Sequence, residues 1–172
     1  MVTSSILSPS DCTAQALADF EKLVLEAGTV DPQGLIQRIR DASRLLFLRE
    51  SNGRLVGVGA LKHPLLSYRS KMFAKAQATA ASDEYKIELG WVTVAKSHQG
   101  RGLSRRIIGR LISLAGNENL FATTRADARA MRFAADYGFK PAGKPYRSGR
   151  GYDLVLYLRD AGETKQAVRY EV

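Results

Sequence analysis

The chain has 172 residues, 45% hydrophobic and 25% charged, with a net charge of +9 and a single cysteine. This length suits one domain with its own core, and the composition is that of an ordinary soluble globular protein. One cysteine excludes an internal disulfide, no apolar run approaches a membrane span, and MVTSSILSPS lacks a basic, apolar leader, so a cytoplasmic protein is expected.

Val2 to Leu7 forms a short apolar start, read as a strand. S-P-S-D at 8–11 reads as a helix entry, after which Leu17, Phe20, Leu23, Val24 and Ala27 recur at helical spacing until Gly28. D-P-Q-G then predicts a short second helix carrying Leu35, Ile36 and Ile39, with Asp31 as N-cap and Pro32 at the first helical position. Residues 44–50 and 54–62 flank S-N-G as a β-hairpin. Residues 64–84, rich in Ala, Lys and Ser, leave a helix and a loop both open, with Tyr68, Met72 and Phe73 as anchors.

Residues 85–94 form a long strand whose apolar content suits burial on both faces. Leu103, Ile107, Ile108, Leu111, Ile112 and Ala115 mark a one-sided helix, and Arg101, Arg105, Arg106 and Arg110 largely avoid its stripe. A strand over 119–124, a helix over 126–137 closed by Gly138, and strands over 140–143 and 152–159 complete the chain. The sum is a mixed α/β fold in one domain over 1–172. It has a mostly antiparallel sheet of about seven strands, flanked by about four helices.

The charge is uneven. Residues 1–84 hold 10 Lys/Arg against 9 Asp/Glu, whereas residues 85–172 hold 16 against 8, and 97–150 hold 11 against 3. A basic surface of this kind attracts nucleic acid, acidic lipid or a phosphorylated cofactor; its plain alternative is a solvated face that aids solubility.

Much of that charge surrounds V-A-K-S-H-Q-G-R-G-L-S at 94–104, which places Gly100 and Gly102 between a strand and a helix. A helix start offers unpaired N–H groups and the positive end of a dipole, and glycine lets a phosphate approach without a Cβ in the way. The dinucleotide fingerprint G-x-G-x-x-G needs glycine where Arg105 stands, and no Walker loop is present.

The stretch resembles the pyrophosphate loop of the GNAT N-acetyltransferase superfamily, V-x-P-x-x-[RQ]-G-x-G-x-[GA], with Lys96 in place of the proline and Ser104 in place of the last small residue. Downstream, A-D-A-R-A-M-R-F-A-A-D-Y-G-F resembles the family's N-x-x-A-x-x-L-Y-x-x-x-G-F segment through Ala130, Gly138 and Phe139. The order of elements is similar over nearly the whole chain.

The resemblance implies acetyl-CoA as acyl donor, with no metal. It implies that the backbone of Val92, Thr93 and Val94 pairs with the pantetheine arm. N–H groups from Gln99, Gly100, Arg101, Gly102, Leu103, Ser104 and Arg105 would hold the pyrophosphate, with the Ser104 hydroxyl assisting. Arg101, Arg105 and Arg106 are the phosphate candidates, and an exposed charged helix face is their alternative.

For chemistry, family members usually transfer the acetyl group directly to an amine that a carboxylate or water chain has deprotonated. The resemblance makes Glu88 the candidate base, since it lies six residues before Val94, where several family members carry a catalytic glutamate. Its parity matches Val92 and Val94, so it shares their cleft unless a bulge intervenes; a buried carboxylate paired with an arginine such as Arg125 is the alternative. The Val92 N–H is the candidate for stabilising the oxyanion. His63 is a weaker candidate base.

Two departures stand out. The family's asparagine aligns with Asp127, a cofactor-contact candidate that equally suits a helix cap. Its tyrosine acid aligns with Ala134, so Tyr137, Tyr146 or solvent must protonate the thiolate. The acceptor, a small molecule, an amino acid or a protein lysine, would meet residues 10–43, 64–84 and 144–152, with Tyr68, Tyr146 and Tyr152 as pocket candidates. Nucleic acid is not the favoured partner, no membrane partner is expected, and a homodimer is left open. The alternative function is a catalytically weak acyl-CoA-binding or nucleic-acid-binding module that keeps the fold.

Overall fold

The computed structural model describes residues 1–128 and 135–162. Among them lie seven strands and four helices: β1 (Val2–Leu7), α1 (Ala14–Glu26), α2 (Leu35–Arg40), β2 (Arg44–Glu50), β3 (Leu55–Lys62), α3 (Leu66–Ala76), β4 (Ile87–Val94), α4 (Leu103–Ala115), β5 (Leu120–Arg125), β6 (Lys140–Arg147) and β7 (Asp153–Arg159). Every strand pairing within the two units described below is antiparallel, in agreement with the expected mixed α/β fold. The helix expected over 126–137 falls largely on residues 129–134, outside the described residues, and so do Ala130 and Ala134.

The chain divides into two compact units, Met1–Pro64 with Glu88–Ala115, and Leu65–Ile87 with Gly116–Val172. In the first, β1, β2, β3 and β4 pair in that order. Leu45, Leu46, Phe47 and Leu48 are all buried because both faces of β2 are covered. Leu45 and Phe47 join Val58 and Ala60 on the face that meets α1 and α2. There Phe20 packs edge-on to Phe47 and Trp91 at centroid distances of 5.5 and 6.2 Å. Burial of such a ring contributes about 2 kcal/mol from area alone.

Two helix entries differ from expectation. S-P-S-D closes a short 3-10 turn at Pro9–Asp11, and the α1 cap is Thr13, whose hydroxyl accepts from the Ala16 N–H at 3.1 Å. Asp31 does not cap α2: its carboxylate accepts from the Gln33 N–H at 3.0 Å, and D-P-Q-G becomes a turn that enters α2 through left-handed Gly34. Asp is suited to both roles, and the local two-residue turn won.

The second unit pairs β5 with β7 and β7 with β6. Residues 64–84, left open by the sequence, contain α3, and its Met72, Phe73 and Ala76 pack with Tyr85, Phe121, Tyr146 and Leu156. Arg69 is buried on α3 and donates through Nη1 to the carbonyls of Ser82 and Tyr85 at 2.7 and 3.2 Å. That pins the segment after α3 to the helix.

Candidate functional site

β4 ends at Val94, a 3-10 turn spans Lys96–His98, and α4 begins at Leu103. Between turn and helix, Gly100 and Gly102 have φ of +77° and +73°, where a side chain is strained. A Cβ built on either meets nothing within 4 Å. Glycine is therefore set by backbone conformation at both positions, and the space over the loop is open. Arg106 N–H donates to the Gly102 carbonyl at 3.1 Å as the first bond of α4. The N–H groups of Leu103 and Ser104 precede it, at the helix end where intrahelical carbonyl partners are lacking. A helix start of this kind, with the positive end of the dipole behind it, is suited to an anion. Gln99 is exposed, with its side-chain amide donating to the Val94 carbonyl at 3.2 Å, and Arg101 is exposed as well.

The start of α4 is placed by two other glycines. A Cβ on Gly59 would lie 2.5 Å from Ile107 Cγ2 and 3.0 Å from Leu111 Cδ1, and one on Gly57 3.2 Å from Ile107 Cδ1. Their absent side chains let α4 lie against β3. The sequence offered G-V-G as the signal for that close approach.

Arg106, one of the three phosphate candidates, donates through Nη1 to the Val2 carbonyl at 2.8 Å. His98, which the sequence reading passed over, is buried and lies 3.1 Å by Nε2 from Glu50 Oε1. That hydrogen bond, more than the charge nearby, holds the Glu50 carboxyl below its usual range.

β4 carries a bulge that changes the reading of Glu88. Val58 pairs with Thr93 and Ala60 with Gly90, so Trp91 and Val92 together oppose Gly59. Trp91 takes φ +54°, a costly conformation for so large a side chain. The extra residue reverses the parity. Glu88 and Thr93 share the face of Lys62 and Val58, towards α1 and α2. Val94 shares the opposite face with Gly57, and Val92 reaches the α4 side, where its Cγ2 is 3.6 Å from a Cβ built on Gly59. Glu88 therefore does not share a side-chain face with Val92 and Val94.

Its partner is not Arg125 either. Glu88 Oε2 lies 2.9 Å from Lys62 Nζ, and that ammonium stands 4.5 Å from the Trp91 ring centroid. Gly90 leaves room for this, since a Cβ there would sit 2.7 Å from Lys62 Cε. His63 follows β3 and is exposed.

The remaining candidates lie in the second unit. Asp127 receives two hydrogen bonds from Arg125, at 2.9 and 2.8 Å, which hold its carboxyl below the usual range. Arg125 also stacks 4.9 Å from the ring centroid of Tyr152. Tyr137 is half-buried in a 3-10 turn whose last carbonyl accepts from Arg159 Nε at 3.1 Å. Tyr146 is buried with its hydroxyl 3.5 Å from Met72 Sδ, a core position rather than a pocket wall, whereas Tyr68 is exposed. Among the described residues no cluster of His, Cys, Asp and Glu could hold a metal ion, and no helix is long and apolar enough to cross a membrane.

Fold and loop together define a protein in which a bulged strand runs through an open, left-handed glycine loop into a helix. A family model described as "Acetyltransferase (GNAT) family" matches residues 14–139. The chain belongs to the GNAT acetyltransferase family. Its fold is similar to Escherichia coli ElaA, at 14% identity and TM-score 0.67 over 93% of this chain and 100% of that one. It is similar also to an acyl-CoA N-acyltransferase from Pseudomonas aeruginosa, at 14% identity and TM-score 0.67 over 92% and 99%. The ribosomal-protein-S18-alanine N-acetyltransferase from Escherichia coli matches at 18% identity and TM-score 0.63 over 96% and 99%. No curated protein sequence matches the chain.

Proposed function

We propose that the protein is a single-domain, acetyl-CoA-dependent N-acetyltransferase that passes the acetyl group directly to an amine, a small molecule, an amino acid or a protein lysine. The observation that carries this reading is the pair of left-handed glycines, Gly100 and Gly102, with open space above them at the start of α4. Acetyl-CoA supplies the activated thioester. The N–H groups from Gln99 to Arg105 bind its pyrophosphate, with the Ser104 hydroxyl and the exposed Arg101 adding to them, and the backbone of Val92 to Val94 lines up the pantetheine arm.

The Val92 N–H stabilises the developing oxyanion. A backbone N–H lies in the plane of a sheet and belongs to neither face. The bulge therefore separates the side chain of Glu88 from that of Val92 without removing Glu88 as the base. Lys62 holds Oε2, and Oε1 takes the proton of the acceptor ammonium directly or through water. Tyr137 or solvent returns a proton to the CoA thiolate, and Asp127 contributes to cofactor binding through the Arg125 pair it forms.

Calorimetry with CoA, followed by acetyl-CoA-dependent release of free CoA over a panel of amines, tests the proposal. Turnover with at least one amine is expected, and Glu88→Gln should lower kcat and alter its pH profile. Absence of CoA binding would sink the reading. A second reading, a CoA-binding module with weak catalysis, is favoured by the ion pair that Glu88 already makes with Lys62. Binding of CoA without turnover of any amine is its outcome.

A further inference from the structure

The glycine loop is fastened on both sides, and both fastenings end on the same pair of strand residues. Before the loop, His98 is 5% exposed, with Nε2 3.1 Å from Glu50 Oε1 and Nδ1 2.9 Å from Ser97 Oγ. After it, Arg106 Nη1 donates to the Val2 carbonyl at 2.8 Å. Val2 and Glu50 are register partners at the outer end of the β1–β2 pair. Between the fastenings, the Gln99 amide reaches the Val94 carbonyl at 3.2 Å, but Gly100 and Gly102 have no side chains and a Cβ on either would meet nothing within 4 Å, so the glycine segment itself is not held by packing. A cradle whose N–H groups converge on one anion binds more weakly when ligand binding must also order it.

We propose that His98 and Arg106 are positioning residues for the anion cradle, and that Glu50 is the anchor through which His98 acts. The proposal rests on reading residues 99–105 as the pyrophosphate site. Both ring nitrogens of His98 face protein partners and the ring is buried, so it acts through the loop rather than on the anion. Arg106 commits a guanidinium N–H to a main-chain carbonyl of β1 and thereby holds the first turn of α4 against that strand. Loss of either fastening spreads the N–H groups over many orientations. Affinity for acetyl-CoA then falls, while the chemical step in the saturated enzyme is left as it was.

The test combines calorimetric CoA binding with amide hydrogen exchange over 99–105 in the free protein, for wild type, His98→Leu, His98→Gln, Glu50→Met and Arg106→Met. His98→Leu, Glu50→Met and Arg106→Met should each weaken CoA binding about tenfold and speed exchange of these amides by a similar factor. In turnover the change should appear in KM for acetyl-CoA and not in kcat. His98→Gln, whose side-chain amide reaches Glu50 as Nε2 does, should recover most of both effects. Should His98→Leu fail to fold, Glu50→Met carries the test, because that side chain is 29% exposed. Wild-type-like binding and exchange in Glu50→Met and Arg106→Met would overturn the proposal. Failure of wild type to bind CoA would overturn the pyrophosphate reading and this proposal with it, whereas slow wild-type exchange that quickens in the variants would still locate the fastening.

Discussion

Lys62 Nζ lies 2.9 Å from Glu88 Oε2, with only 16% and 5% of the two side chains exposed. Removing one partner of a buried pair leaves the other charge uncompensated, at a cost of about 3–5 kcal/mol. Lys62→Met keeps most of the volume of the side chain but removes the ammonium, and should lower stability by about 3 kcal/mol in urea unfolding. Adding Glu88→Gln to it should recover most of that loss, because the stranded charge is gone. Equal stability of the single and double variants would show that the pair is not coupled.

The loop glycines make different demands from glycines that are merely crowded. At Gly102 a Cβ meets nothing, so Gly102→Ala carries only the cost of its left-handed backbone, about 1–2 kcal/mol. Gly102→Glu adds a carboxylate where the N–H groups of α4 converge. It should abolish CoA binding in calorimetry while the far-UV CD spectrum stays near wild type. Tight residual binding would place the phosphates elsewhere.

What the sequence disclosed followed from periodicity. The stripe of α1, the hairpin around S-N-G and the one-sided face of α4 were legible because each repeats its pattern over two or more turns or strand pairs. The glycine loop was legible because its spacing is local. The bulge in I-E-L-G-W-V-T-V was not. The strand's one glycine, Gly90, looks like the irregular residue, yet the left-handed backbone is at Trp91, and Gly90 instead makes room for Lys62. The parity argument for Glu88 failed on that one residue. Lys62 and Glu88 are paired by strand register, and His98 meets Glu50 across 48 positions of sequence. Such partners are set by tertiary packing, which no local pattern records.

The His98–Glu50 contact also fixes a pH dependence. The Glu50 carboxyl is held below its ordinary value, first by the hydrogen bond from His98 and then by the charges of His98, Arg54 and the Met1 amine. A group whose pKa is lower folded than unfolded stabilises the fold above its unfolded value, and that contribution is lost as pH falls through the folded value. Glu50→Gln should therefore show its stability deficit at neutral pH and converge with wild type in acid, below the ordinary glutamate range. Carboxyl-detected NMR titration should move Glu50 back towards its ordinary value in His98→Leu. A Glu50 titration unchanged in that variant would mean that His98 is not the cause.

Gly143 makes the opposite demand from Gly102. It interrupts the β6–β7 register between Ala142 and Tyr146, with φ +68°, and a Cβ on it would lie 1.9 Å from the Ala76 carbonyl oxygen. That carbonyl belongs to the last turn of α3, where the chain leaves through left-handed Gln77, so neither side has a flexible side-chain end that can yield. Gly143→Ala must therefore displace backbone as well as adopt a disfavoured φ. It should lower stability by about 3 kcal/mol or more, against about 1–2 for Gly102→Ala, where only φ is at issue. Thermal unfolding of the two variants side by side gives the comparison. A Gly143→Ala protein as stable as Gly102→Ala would show that α3 does not lean on β6 at this point.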